Sequence, residues 1–283
     1  MNDMNQANRL YWDAMSADWQ ALRDQDQLWR KCLQQPELAF EGEALDMIDR
    51  YMGGLHGKRA CVIGSGDNYV AFALAGMGAQ VTSTDISAQQ LKVAQERAAI
   101  LGLEITFHRA DATNLEGIPQ GEFDLVCSSN GFFVWIAEPA KVFQQVFRVL
   151  KPGGFYIFYD VHPFQRPWKD QPPPVHQEGE EGQGVGLEIE QPYSAIGPFV
   201  YEDYGQVNYQ FHWRLSDLLN PLLDSGLILR QLAESPASDA RYWEGSAYTP
   251  GTNPLLLDWQ HNPRAGLPAW LTVAAQKNLG ISL

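Results

Sequence analysis

The sequence predicts an α/β protein: a largely parallel sheet with helices on both faces. Three observations carry that reading. Residues 57–85, GKRACVIGSGDNYVAFALAGMGAQVTSTD, run strand, glycine turn, helix, strand, acid. Further short apolar runs at Glu104 to His108, Phe123 to Cys127 and Phe155 to Val161 are separated by helical patterns, the alternation expected of βαβ units. Acids stand just past the second and third strands, Asp85 and Asp111, at the sheet edge where open α/β sheets bind ligands.

Taken in order, Asn8 to Leu33 reads as helical, with Trp12, Met15 and Trp19 at i, i+3, i+7 on one face. A helix over Gly42 to Met52 presents Leu45, Ile48 and Met52 and stops at Gly53-Gly54. Ala60-Cys61-Val62-Ile63 is a buried strand. The turn Gly64-Ser65-Gly66-Asp67-Asn68 then opens the helix Tyr69 to Ala75. Glycine allows close backbone approach there, and the helix N-terminus offers N–H groups to an anion. Gln80 to Thr84 is the second strand, and Asp85, nineteen positions after Gly66, can accept from ribose hydroxyls. A dinucleotide fingerprint requires a third glycine where Tyr69 stands.

Ser87 caps a helix over Ala88 to Leu101, and Gly102 stops it. After the fourth strand comes Ser128-Ser129-Asn130-Gly131, then a helix from Pro139 through Leu150. Lys151-Pro152-Gly153-Gly154 has the residues of a type II turn before the fifth strand. Residues 162–198, rich in Pro, Gly and acids, read as a surface insertion. Phe199 to Asp203 and Gln206 to Arg214 form a hairpin. In its second strand Val207, Tyr209, Phe211 and Trp213 are expected to pack, with Asn208, Gln210, His212 and Arg214 outside. Ser216 caps a helix that Pro221 should kink or restart at Asn220. Leu227 to Ala233 and Ala269 to Gln276 are the last strands, around a loop excursion at 234–268.

Composition narrows the function. The 283 residues carry a net charge of −14 and no basic run, which disfavours nucleic acid. No apolar run reaches a membrane span, and Met1 to Leu10 lacks a signal-peptide core. Cys32, Cys61 and Cys127 have no metal spacing and read as reduced packing thiols, which points to the cytoplasm and to no bound metal.

Gly64-Ser65-Gly66, Asp85, Asp111-Ala112, FDLVCS at 123–128 and LKPGG at 150–154 resemble, in order and spacing, the class I S-adenosylmethionine-dependent methyltransferases. The likeness is to small-molecule enzymes of the methyltransferase-domain 11/25 type and covers residues 57–161. It implies a Rossmann-like seven-stranded sheet of order 3-2-1-4-5-7-6, strand 7 antiparallel, with an antiparallel β insertion after strand 5. It also implies S-adenosyl-L-methionine as cofactor. Gly64, Ser65, Gly66, Asp67 and Asn68 would hold the methionine end, with Asn68 in place of the family's third glycine. Asp85 would take the ribose, Ile86 pack on the adenine, Asp111 and Ala112 read its edge, and Ser128 accept from the amino group. Trp19 would close the site, since an electron-rich ring suits a sulfonium.

The chain divides accordingly into an N-terminal helical cover (1–56), a cofactor core (57–161), an acceptor lid (162–215) and a C-terminal completion of the sheet (216–283). The expected reaction is in-line methyl transfer to a small molecule placed under the 199–213 hairpin, which requires positioning and exclusion of water more than a protein nucleophile. His162 and His212 are candidate general bases if the acceptor must lose a proton, beside the alternative that each is only structural. No Asn/Asp-Pro-Pro-Tyr motif follows strand four, which argues against nucleic-acid and protein amide acceptors. Two other functions stay open: an NAD(P)-dependent oxidoreductase, and a non-catalytic S-adenosylmethionine-binding protein.

Overall fold

Strand order is set by where the apolar runs fall, and the computed structural model, which describes residues 3–168, 188–244 and 251–279, realises it as one seven-stranded sheet and a separate two-stranded one. The strands of the large sheet are β1 (Arg59–Ile63), β2 (Gln80–Asp85), β3 (Ile105–Arg109), β4 (Phe123–Ser128), β5 (Leu150–Val161), β8 (Leu227–Ser235) and β9 (Trp270–Lys277). Their order is β3-β2-β1-β4-β5-β9-β8. Strands β1 to β5 pair in parallel, and β9 lies antiparallel between β5 and β8. This is the expected 3-2-1-4-5-7-6 arrangement. Its consequence is that β9 begins at the edge where the other strands end.

Helices α3 (Ala44–Met52), α4 (Tyr69–Gly76), α5 (Ala88–Leu101), α6 (Pro139–Val149) and α7 (Leu215–Asp224) cover the sheet. Two apolar cores result, one under α3 and α4, the other under α6 and α7. Ser87 caps α5 by accepting from Gln90 N, and Gly102 ends it in the left-handed region. The N-terminal cover is a single helix, α1 (Asp3–Arg23), followed by a one-turn helix, α2 (Leu28–Lys31), rather than one helix to Leu33.

Four local expectations are corrected. LKPGG is a bulge within β5: Phe123 pairs with Leu150 and Leu125 with Phe155, so one strand advances two residues while the other advances five. Gly153 takes the positive φ that a type II turn requires, so the local chemistry was read correctly and the pairing was not. Pro221 sits inside an unbroken α7, whose cap is Arg214 in a reciprocal box with Asp217, not Ser216 or Asn220. In the hairpin, β6 (Phe199–Asp203) and β7 (Gln206–Gln210), Asn208 is buried while Val207 is exposed. The hairpin packs on α1 instead of on the sheet, which reverses the hidden face at Val207 and Asn208, while Phe211, beyond β7, is buried and Trp213 packs on the core as expected. The Pro172 to Pro174 run, the acidic stretch from Glu178 to Gly186, and Tyr248 and Pro250 lie outside the described residues.

Candidate active site

A cavity of about 560 Å³ opens where β1, β2, β3, β4, β5 and β8 end and β9 begins. Helix α1 closes it from above. Its residues Asn5, Asn8, Trp12, Met15, Trp19 and Arg23, three or four apart, form one stripe along the wall. The helix is held by polar bonds to the loops it covers. Asn5 donates to Asp111 (2.9 Å), Trp19 Nε1 to Asp67 (2.5 Å), and Ser87 Oγ to Asp13 (2.7 Å). Asn8 bonds both the N–H and the carbonyl of Tyr209 (2.7 and 2.9 Å) and the carbonyl of Trp135 (3.2 Å). Trp12 meets Trp19 and Trp135 edge to face, at 5.9 and 5.2 Å between centroids.

Beneath it the glycine turn uses the left-handed region three times, at Gly64 (φ 57°), Gly66 (φ 46°) and Asn68 (φ 63°). A Cβ on Gly64 would overlap the Phe132 ring, so that position is sterically reserved for glycine. Asn68 replaces a third glycine because its side chain braces the strained backbone, donating to Gly66 O (2.7 Å) and accepting from Ser83 Oγ (2.6 Å). The Asp85 carboxylate accepts from Gly66 N (2.9 Å) and Ser87 N (2.8 Å), tying the end of β2 to the turn. Burial raises its pKa to about 6 against the pull of those two N–H groups.

Trp19, Gly64, Ser65, Gly66, Asp67, Asp85, Ile86, Asp111 and Ala112 line this one cavity. Asn68 and Ser128 do not. Both are buried behind the wall, Ser128 through a 2.7 Å bond to Tyr156 OH, and the strand-four side is lined by Ser129, Asn130 and Gly131 instead. That loop is fixed by Asp160, which accepts from Gly131 N and Phe133 N at 3.0 Å, a role nothing local in the sequence announced.

The two histidines are elsewhere. His162 is fully buried; its Nδ1 accepts from Phe164 N, so Nε2 carries the proton and donates to Glu234 (2.8 Å). Burial lowers its pKa, against the pull of Glu234. His212 is bonded to Gln191 and lies against Phe199 (4.7 Å), with its pKa lowered to about 4 by burial and by Arg166. Neither histidine lines the cavity, and neither does the hairpin expected to roof it. The far wall comes from segments with no recognisable motif: Leu38 to Glu41, Tyr159, Ser238 to Tyr242 and Trp270. Among the described residues no cluster could hold a metal ion, and no helix is long and apolar enough to cross a membrane.

With this geometry in view, comparison with known proteins is informative. Residues 61–158 match the family described as a methyltransferase domain. Ubiquinone biosynthesis O-methyltransferases from Alkalilimnicola ehrlichii and Aromatoleum aromaticum are 31% identical over 114 residues and 32% over 118. These matches cover 40% and 42% of this chain and 46% and 50% of the relatives, so the chain spans about half the length of the curated relatives it matches. Among solved structures, an S-adenosylmethionine-dependent methyltransferase from Mesorhizobium loti superposes with a TM-score of 0.58 at 24% identity, covering 83% of this chain and 98% of that one. The [4+2]-cyclase SpnF gives 0.61 at 18% identity, covering 98% and 97%. These likenesses establish the fold, which a cyclase shares, and leave the reaction to the site. The segment 61–158 that matches the methyltransferase-domain family is the one that carries the glycine turn, Asp85 and Asp111, and the fold around it is the one these solved structures share.

Proposed function

We propose that the protein transfers the methyl group of S-adenosylmethionine to a small-molecule acceptor. The observation that carries this is Asp85: a buried carboxylate at the end of β2, bonded to the glycine turn, on the wall of a cavity within the range of about 300–1,000 Å³ that small-ligand sites occupy. The residues suit the cofactor. Two ribose hydroxyls would give Asp85 the donors its lone pairs lack, and Ile86, Asp111 and Ala112 would frame the adenine. The methionine end fits the Gly64 to Asp67 turn and the Ser129 to Gly131 loop, with Asn68 and Ser128 supporting from behind. Trp12 and Trp19 line the cavity and supply aromatic rings that suit a cation, and the Arg23 guanidinium lies over the Trp19 ring.

Bound there, the cofactor supplies an electrophilic methyl carbon on a sulfonium. The chain orients it, excludes water with α1, and brings an acceptor in from the β5–β9 side. The charge of −14 supports a small acceptor over nucleic acid, and three buried, unpaired cysteines suit the cytoplasm. The core 57–161 would thus hold the cofactor under a cover made by 1–56. The acceptor wall comes from 38–41 and the 216–283 segment rather than from the 162–215 lid.

Calorimetry with S-adenosylmethionine and NADH tests the reading. The wild type is expected to bind the former, and Asp85→Ala to bind it about 10- to 150-fold more weakly, the worth of one hydrogen bond to a charged group. Undiminished binding by the variant, or preference for NADH, would sink the assignment. Binding without transfer of a tritiated methyl to any acceptor would favour a non-catalytic protein.

A further inference from the structure

At the β5–β9 side of the cavity the loop carrying Glu41 is immobilised. Tyr159 OH donates to Ala39 O at 2.6 Å, and Glu43 N to Thr272 Oγ1 at 3.2 Å. Gly42, between them, packs so closely that a Cβ would come 2.6 Å from Thr272 Oγ1. Glu41 Oε1 accepts from Arg241 Nη2 at 2.9 Å, while Oε2 has no hydrogen-bond partner among the described residues. The sheet order places this carboxylate across β1 and β4 from Asp85 and Asp111, on the opposite side of the same cavity.

Among the described residues the cavity wall contains no histidine, lysine or cysteine. Among its other carboxylates, three have both oxygens engaged: Asp67 with Trp19 and Arg23, Asp85 with Gly66 and Ser87, Asp111 with Asn5 and Thr113. Asp239 accepts from Arg241 N and Gly251 N through Oδ1 alone. Despite desolvation, those N–H groups hold its pKa low. Glu41 differs. Desolvation raises its pKa, opposed by Arg241 and reinforced by Asp239, and the Tyr159 hydroxyl stays protonated beside it.

Building on the methyl-transfer reading, we propose that Glu41 is the proton acceptor of the reaction and that the group methylated is protic, an O–H or an N–H. The proton moves from that oxygen or nitrogen to Glu41 Oε2. The acceptor's lone pair forms the bond to the methyl carbon, and the carbon–sulfur bond breaks with its electron pair going to sulfur. Glu41 then returns the proton to solvent.

The test compares wild type, Glu41→Gln and Glu41→Asp in the full chain. It uses calorimetry for S-adenosylmethionine and transfer of tritiated methyl to phenol, catechol, benzyl alcohol, benzylamine and ethanolamine. Glu41→Gln should bind the cofactor within about twofold of wild type. Its kcat on the protic probes should fall about 100-fold or more, the usual worth of a general base. The acid limb of the wild-type pH profile should disappear with it, and Glu41→Asp should recover part of the rate. A Glu41→Gln enzyme with kcat within threefold of wild type, an unchanged acid limb, or lost cofactor binding overturns the proposal. So does a wild type that binds the cofactor and methylates only aprotic probes such as dimethyl sulfide, or none of these compounds. A wild type that does not bind the cofactor removes the underlying methyl-transfer reading as well, and calorimetry alone reveals that case.

Discussion

Asp85 is asked to do two things that oppose each other. Buried, its carboxylate has a pKa raised to about 6 despite its backbone donors, so the ionised form burdens the ligand-free protein above that pH and is relieved in acid. A ligand bringing hydroxyl donors favours the ionised form and lowers the pKa on binding. The sign follows: affinity for S-adenosylmethionine is full above pH 6 and lost as pH falls through it. Calorimetry between pH 7.5 and 5 should show Kd rising toward a limiting slope of about tenfold per pH unit. Asp85→Asn should flatten that dependence.

The place of Asp85 on the cavity wall was legible in the sequence because strand, glycine turn, helix and acid are contiguous, and each implies the next. Glu41, Asn8 and Asp160 were not, since their partners lie far along the chain: Arg241, Tyr209 and the Gly131 to Phe133 loop. His162 and His212 drew notice for their chemistry alone, and the fold uses both as braces.

Among the elements, α1 depends on the hairpin. Asn8 satisfies both backbone groups of Tyr209, and Tyr11 packs against Tyr204 at 6.2 Å. Asn8→Ala leaves those groups unpaired in a partly buried joint. The expected cost is about 2 kcal/mol, or a Tm lower by about 4–8 °C. Hydrogen exchange should rise along residues 3–23, and cofactor binding should weaken, because the stripe from Asn5 to Arg23 closes the cavity. Protection of α1 equal to wild type would mean the hairpin does not anchor it. The elements themselves were readable from periodicity and caps, as at Ser87 and Gly102, because those signals are local. The hairpin's face was misread at Val207 and Asn208, though not at Phe211 and Trp213, because alternation says which residues pair up on a side, not which side meets a neighbour. Pro221 was misread because tertiary packing of Leu218 and Leu222 overrides a missing bond.

For the whole molecule, the charge of −14 sets a field that favours cations. S-adenosylmethionine is a net cation and its demethylated product is not. Raising salt from 0.02 to 0.5 M should therefore weaken cofactor binding several-fold while changing product affinity less, as screening shortens the reach of the protein's field. Equal salt dependence would locate the recognition in short-range contacts alone.

The reversed direction of β9 carries one more implication. In a sheet whose strands all ran alike, the segment entering the last strand would sit on the idle side of the molecule. Here the stretch leading to Trp270 arrives on the working rim. Glu41, Tyr159 and Arg241 share that rim, and with Trp270 they all fall outside the shared 61–158 segment. On the proposed methyl-transfer reading, lengthening, shortening or exchanging those outlying pieces would retune which compound is modified.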